Sequence, residues 1–254
     1  MPIAITRKLS AAIARCELTH LARAPIDVRL AEAQHEAYER ALAKLGCWVL
    51  SLPAEPDLPD AVFVEDTAVV VDEVAVITCP GAGSRREETA SVAAVLAKYR
   101  PVVAIEAPGT LDGGDVLRLG RRFHVGLTGR TNREGIAQLA ALVAPHDYTV
   151  EAVPVRGCLH LKSAVTQVAP DAVLVNPSWV DADAFPQHTR ILVHPDEPFA
   201  ANALMIGDSV IYPEAFPHTA RQLEATGIRV FAVDVSELAK AEGAVTCCSL
   251  ILNG

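Results

Sequence analysis

An α/β fold of repeated units set about one axis is what this 254-residue sequence predicts. Three observations predict it. The same order of short strand, loop, hairpin and helix recurs along the chain, chemistry-bearing residues fall at the same place in each unit, and the two ends read as halves of one further unit. The alternative left open by pattern alone is an ordinary α/β sandwich whose elements alternate.

The single short strands read as WVLSLP (48–53), VVAIEA (102–107), TVEAVPV (149–155), ILVHP (191–195) and RVFAVD (229–234). The hairpins read as residues 67–78, 115–127, 163–175 and 202–213, with Gly, Asp or Pro at the reversals, as tight turns favour. Helical spacing of apolar residues marks 85–99, 132–146 and 217–227, with Asn132 suited to an N-cap and Gly227 to a stop. The helix expected within 180–189 is the weakest. The fifth unit is split: TCCSLILNG lacks a downstream partner, which PIAIT (2–6) supplies, and residues 29–46 supply its helix. The loop-to-hairpin junctions fall at Asp66, Asp115, Lys162, Asn202 and Cys247, separated by 49, 47, 40 and 45 residues. That regularity suggests radial repetition, which also protects sheet edges.

Composition narrows the function. With 51% apolar and 21% charged residues, the chain reads as globular, and its length suits one large domain or two small ones. A net charge of −9 argues against a nucleic-acid partner. No run approaches the roughly 18 apolar residues of a membrane span, and MPIAITRKLS is too weakly apolar for a signal peptide. Six cysteines, at 16, 47, 79, 158, 247 and 248, form no CxxC pair, so free thiols in a cytoplasmic setting are expected.

In a ring of equivalent units the junction loops meet near the axis. They carry PDAVFVED, PGTLDGGD, RGCLHLKS and EGAVTCCS. Asp60, Glu65, Asp66, Asp112 and Asp115 would crowd carboxylates there, which favours a cationic ligand. A planar guanidinium, able to give two parallel hydrogen bonds to one carboxylate, fits. The plainer role of such acids is capping turns. Adjacent Cys247 and Cys248 point to opposite faces if they lie in a strand. A buried cysteine is more often inert core than nucleophile, and a thiolate needs a neighbouring cation or histidine. His160 is the histidine whose loop is equivalent to that of Cys247. Cys158-x-His160 is not a recognised zinc spacing. Arg85, Arg86 and Arg130 open helices, where arginine is electrostatically unfavourable, so a substrate carboxylate or plain solvation must account for them.

FVED (63–66), LDGGD (111–115), LHLKS (159–163) and TCCS (246–249), with PGAGSRRE (80–87), FHVGLTGRTNREG (123–135) and FAANAL (199–204), resemble the dimethylarginine dimethylaminohydrolases. The resemblance runs from about Leu18 to the C-terminus. It implies the pentein fold, a five-bladed α/β propeller of ββαβ units, as one catalytic domain over 1–254. It implies Cys247 as nucleophile, His160 as general acid and base, and Asp112 as the carboxylate orienting His160. Leu18, Asp60, Phe63, Glu65, Asp66, Arg85, Arg130 and Ala241 fall at substrate-binding positions, with the two arginines at the substrate carboxylate and Leu18 on a closing loop. Two departures stand out: Asp112 is shorter than the glutamate of some relatives, and Ala241 replaces a larger aliphatic residue.

The implied reaction cleaves N-omega-methylated arginine to citrulline and a methylamine through a covalent thiouronium at the cysteine. No cofactor is implied, although zinc can inhibit at Cys247 and His160. The expected partner is the small-molecule substrate, with the chain a monomer or homodimer. Arginine deiminase, agmatine deiminase and amidinotransferase are related alternatives, and a non-catalytic pentein binding protein is the alternative of another class. Arginine deiminases are longer, agmatine would leave both arginines idle, and a binding protein has no need of Cys247, His160 and Asp112 together.

Overall fold

Five sheets of three strands each carry the fold in this computed structural model, which describes residues 1–253. β1 (Ile3–Arg7) pairs in parallel with β2 (Trp48–Leu52). β3 (Ala68–Val70) and β4 (Ala75–Ile77) form a hairpin, and β5 (Val102–Ala104) adds in parallel to β4. The same antiparallel-then-parallel order recurs in β6 (Val116–Leu119), β7 (Arg122–Leu127) and β8 (Thr149–Pro154). It recurs again in β9 (Val165–Ala169), β10 (Ala172–Val175) and β11 (Thr189–Leu192), and in β12 (Leu204–Ile206), β13 (Ser209–Pro213) and β14 (Arg229–Val233). The final strand, β15 (Leu250–Leu252), returns to β1 with Ile3 opposite Leu252. The split fifth unit is therefore closed by the two ends of the chain, as expected.

A parallel third strand needs a crossover of a dozen or more residues, and a helix usually supplies it. Helices Val28–Lys44, Glu88–Leu96, Arg133–Val143 and Pro217–Ala225 do so here. Asn132 caps the third, accepting from the Gly135 N–H at 2.8 Å, and Gly227 follows the fourth at φ +90°. The helix expected within 180–189 is absent: only a single turn, Ala182–Ala184, forms. Pro177 and Pro186 bracket this crossover, and Asp181 spends its carboxylate on the Asp183 N–H, so no longer helix is favoured. β11 also begins two residues earlier than expected, at Thr189.

The innermost strand of every sheet contributes to one wall. Val69, Leu117, Thr166, Met205 and Leu250, one from each sheet, line a single cavity of about 450 Å³. A sandwich would bury these residues between two layers; a five-bladed α/β propeller places them around an axis. Among the described residues no helix is long and apolar enough to cross a membrane.

Candidate active site

Each hairpin is preceded by a junction loop that turns at the axis, and the five loops are hydrogen-bonded in a closed circuit. The Gly114 N–H donates to Asp66 Oδ1 at 2.9 Å, and the Leu161 N–H to Asp115 Oδ1 at 2.9 Å. Asn202 donates to the Lys162 carbonyl at 3.0 Å and accepts from the Thr246 N–H at 3.1 Å. The Glu65 N–H then donates to the Cys247 carbonyl at 3.1 Å, which closes the ring. The two glycines of LDGGD are required by this packing. A Cβ on Gly113 would stand 1.9 Å from the Glu65 carbonyl oxygen, and one on Gly114 would stand 2.5 Å from His160 Nδ1. Asp115 is wholly buried, accepts from Thr128 and Thr131 at 2.7 Å, and serves as a tie between loops.

Junction residues one or two apart in the chain line different spaces. Glu65, Lys162 and Thr246 line the 450 Å³ cavity, whereas Asp66, His160 and Cys247 line a narrow pocket of about 20 Å³ on the other side. The floor between the two spaces is an ion pair. Lys162 Nζ donates to Glu65 Oε1 at 2.5 Å, and Thr246 donates to Glu65 Oε2 at 2.8 Å. Glu65, expected at the substrate guanidinium, thus has both carboxylate oxygens engaged in the floor and does not line the pocket.

Cys247 and His160 share the pocket with Asp60, Phe63, Asp66, Arg85, Arg130 and Ala241. The cysteine pair sits in a turn, with the Cys247 N–H donating to the Ala244 carbonyl, and not in the strand the sequence suggested. The two side chains still diverge: Cys248 is fully buried among core residues, its thiol 3.6 Å from the Ala244 carbonyl. Burial, and then the charges of Glu65 and Asp66, push the Cys247 thiol up to about 12.

His160 shows the opposite balance. Burial alone would lower its pKa, but Asp66, the hydrogen bond that the ring donates to Asp112, and Asp115 outweigh that and raise it to about 9. His160 Nε2 lies 3.0 Å from Asp112 Oδ2, and Nδ1 lies 3.9 Å from Asp66 Oδ1. The shorter Asp112 carboxylate therefore reaches the ring directly, without a bridge. Asp112 stands behind the histidine and is itself held by the Gly81 N–H at 2.8 Å. Although burial opposes it, the charges of His160 and Arg85 hold the Asp66 carboxyl well below its usual range.

The two arginines differ. All three nitrogens of Arg85 are engaged: Nη1 with Asp66 at 2.5 Å, Nη2 with Glu88 and the Phe63 carbonyl, and Nε with Glu88. Arg130 donates from Nη2 to Thr19 Oγ1 at 3.2 Å, while its buried Nη1 has no hydrogen-bond partner and lies 3.5 Å from Asp112. Of the expected arginine pair, one has a donor to spare.

Over this end runs the segment 17–21. The Glu17 N–H donates to Asp60 at 3.1 Å, and Glu17 Oε1 accepts from Ser84 at 2.5 Å. Leu18 is half-buried and packs on the core beside the pocket without lining it. Sequence reasoning missed Glu17, Leu159, Glu242 and Gly243, which complete the lining. Leu159 was within reach as the neighbour of His160; Glu242 carried no signal beyond a charge in a loop.

Among the described residues, the one group with clustered metal-ligand atoms is Asp66, Asp112 and His160, all within 4.8 Å of one another. Their atoms already serve Arg85, Gly81, Gly114 and each other, and Cys247 is not part of the cluster. All six cysteines are unpaired.

Comparison with known proteins places these features in context. The family model described as arginine deiminase matches residues 54–197. The N(G),N(G)-dimethylarginine dimethylaminohydrolase of Streptomyces coelicolor is 42% identical over 252 residues, covering 98% of this chain and 96% of that one. The enzyme of the same name from Pseudomonas aeruginosa is 36% identical over 226 residues, covering 88% and 89%. A solved structure of the Pseudomonas aeruginosa protein, a cysteine-to-serine variant complexed with citrulline, superposes with a TM-score of 0.94 at 33% identity, covering 98% of each chain.

Proposed function

The chain belongs to the dimethylarginine dimethylaminohydrolase family, and on that premise we propose that it hydrolyses N-omega-methylated arginine to citrulline and a methylamine. The observation that carries this reading is the meeting of a thiol, a charged histidine and an acid-lined wall in one narrow pocket. In this reading the substrate guanidinium lies against Asp66, its carbon over Cys247. The α-carboxylate takes the spare Nη1 of Arg130, and the α-amino group approaches Asp60. Arg85 organises the acids from behind.

The charge states favour a substrate-triggered step. A thiol near 12 beside a histidine near 9 leaves both protonated at neutral pH. A bound guanidinium brings positive charge to the thiol and lowers its pKa where it must react. The thiol gives its proton to solvent as the guanidinium binds, the thiolate attacks the guanidinium carbon, His160 gives its own proton to the departing methylamine, and a thiouronium remains on Cys247. His160, now neutral, takes a proton from water. The hydroxide adds to the same carbon, the C–S bond breaks, the thiolate takes up the hydroxyl proton of the collapsing intermediate, and citrulline leaves with the Cys247 thiol restored. The reaction as written uses no cofactor. Zinc acting as an inhibitor at Cys247 and His160 would have to displace a proton from each, so its grip would strengthen as pH rises.

The test is release of citrulline and amine from a panel of arginine, N-methylarginine, asymmetric dimethylarginine and methylated agmatine. Preference for the methylated arginines is expected. Ammonia from unsubstituted arginine as the main product would make the protein a deiminase instead. The same assay with added zinc at pH 6.5 and 8.5 reads the inhibitory site; stronger inhibition at pH 6.5 would count against it. The reading also assigns the protein to the cytoplasm, acting as a monomer or homodimer over a single domain, and cell fractionation and light scattering check those assignments.

A further inference from the structure

Beside the narrow pocket lies a second cavity of about 460 Å³, with Leu21, Phe199 and Phe216 in its wall. Three residues line both spaces: Leu159, Glu242 and Gly243. Gly243 has no side chain, so the partition is made by Leu159 and Glu242.

Glu242 is unusual in two respects. Its backbone is left-handed, at φ +58°. It follows the helical turn Ser236–Ala239, its N–H bonding the Ala239 carbonyl at 3.1 Å while the Gly243 N–H bonds the Leu238 carbonyl at 3.0 Å. This is the pattern of a Schellman stop, whose left-handed position is usually glycine because other side chains clash there. Local folding would thus be better served by glycine.

The carboxylate, however, has a specific occupation. Glu242 Oε2 accepts the Thr19 N–H at 3.0 Å, and Oε1 accepts those of His20 and Leu21 at 2.5 and 2.6 Å. Three successive backbone donors converge on one charged group across more than 220 residues of sequence. Charge-assisted bonds of this kind are among the stronger ones available at a surface. The fastened segment carries Thr19, which accepts from Arg130, and Leu21, which lines the larger cavity.

We propose that Glu242 is a positioning and specificity-determining residue: it fastens residues 19–21 over the reactive pocket and walls that pocket off from the 460 Å³ cavity, restricting the substrate to small guanidinium substituents. The proposal rests on the methylarginine reading for its substrate, but the fastening does not. Ala241, the preceding residue, lines only the narrow pocket and provides no part of this wall.

The test uses Glu242→Gly, which keeps the left-handed backbone without strain, and Glu242→Gln, which keeps the bulk and one acceptor oxygen. Backbone amide exchange of residues 19–21 should rise in Glu242→Gly and less so in Glu242→Gln. With N-methylarginine, KM should rise at least about tenfold in Glu242→Gly while kcat stays within about threefold, the signature of lost binding without lost chemistry. The ratio of kcat/KM for N-propylarginine to that for N-methylarginine should rise at least about fivefold in Glu242→Gly and stay near the wild-type value in Glu242→Gln. Unchanged exchange in Glu242→Gly overturns the fastening, and so does a fall in kcat at constant KM. Raised KM with an unchanged substrate ratio overturns the partition. If the wild type processes no N-alkylarginine at all, the substrate reading fails, and amide exchange alone decides whether Glu242 fastens the segment.

Discussion

The two ends of the pocket are held by different kinds of contact. At the reactive end, Cys247, His160, Asp112 and Asp66 rest on a buried circuit of backbone and carboxylate bonds, with Glu65 and Lys162 as a floor. At the other end, Asp60, Arg130 and Glu242 hold the largely exposed segment 17–21 through bonds nearer the surface. Burial raises the Cys247 thiol, whereas the carboxylates around His160 raise its pKa against burial. The difference teaches that substitutions at the first end should alter chemistry, and those at the second should alter affinity.

The largest effect expected is at Cys247. Cys247→Ser removes the nucleophile and should lower kcat at least about a thousandfold with the fold retained. Cys248→Ser places a hydroxyl in an apolar core, where the Ala244 carbonyl is within 3.6 Å, and should lower the melting temperature while keeping most turnover. Citrulline release and thermal melting of both variants separate the two roles. Inactivity of Cys248→Ser alone would reverse the assignment.

Next comes Asp112. His160 must carry a proton to release the amine, so kcat/KM should fall as pH rises through about 9. Asp112→Asn removes one of the charges that raise His160, so this alkaline limb should move toward neutral pH, and kcat should fall about a hundredfold. Stability has the same sign. A histidine raised from 6.5 to about 9 contributes stability that is full below 6.5 and is lost as pH rises through about 9. Melting temperature measured across that window checks it, and a limb that stays in place in Asp112→Asn would remove Asp112 from the role.

Much of this architecture was legible in the sequence, for identifiable reasons. The five units showed because each hairpin and its outer strand repeat one apolar pattern, and the junction residues recur at near-constant spacing. The helix expected within 180–189 does not form, because composition there does not reveal that two prolines and an Asp181 turn suffice to span the crossover. The junction motifs located the site, but not which way each side chain points. Glu65 and Asp66 are adjacent, yet they face opposite cavities, and only the turn geometry decides that. The same limit hid the engagement of Arg85 and the part of Glu242, whose partners lie on a segment more than 220 residues away.

The smallest of the three effects, and the one that sharpens the comparison most, concerns Arg130. Its buried Nη1 makes no hydrogen bond and only a 3.5 Å ion contact with Asp112, so a substrate carboxylate can take it without displacing a hydrogen bond. A charge-assisted contact of that kind is worth about 1.5–3 kcal/mol, or roughly ten- to a hundredfold in kcat/KM. Arg130→Ala should show that loss with N-methylarginine and a much smaller one with methylated agmatine, which has no carboxylate. The variant also loses the 3.5 Å ion pair with Asp112 and the bond to Thr19, but those losses are common to both substrates and cancel in the comparison. Arg85→Ala provides the contrast. Its guanidinium neutralises Asp66 and Glu88 in the interior, so its removal should lower the melting temperature and depress both substrates alike. If Arg130→Ala also depressed both equally, the affinity end of the pocket would be as structural as the reactive end, and the distinction between them would fail.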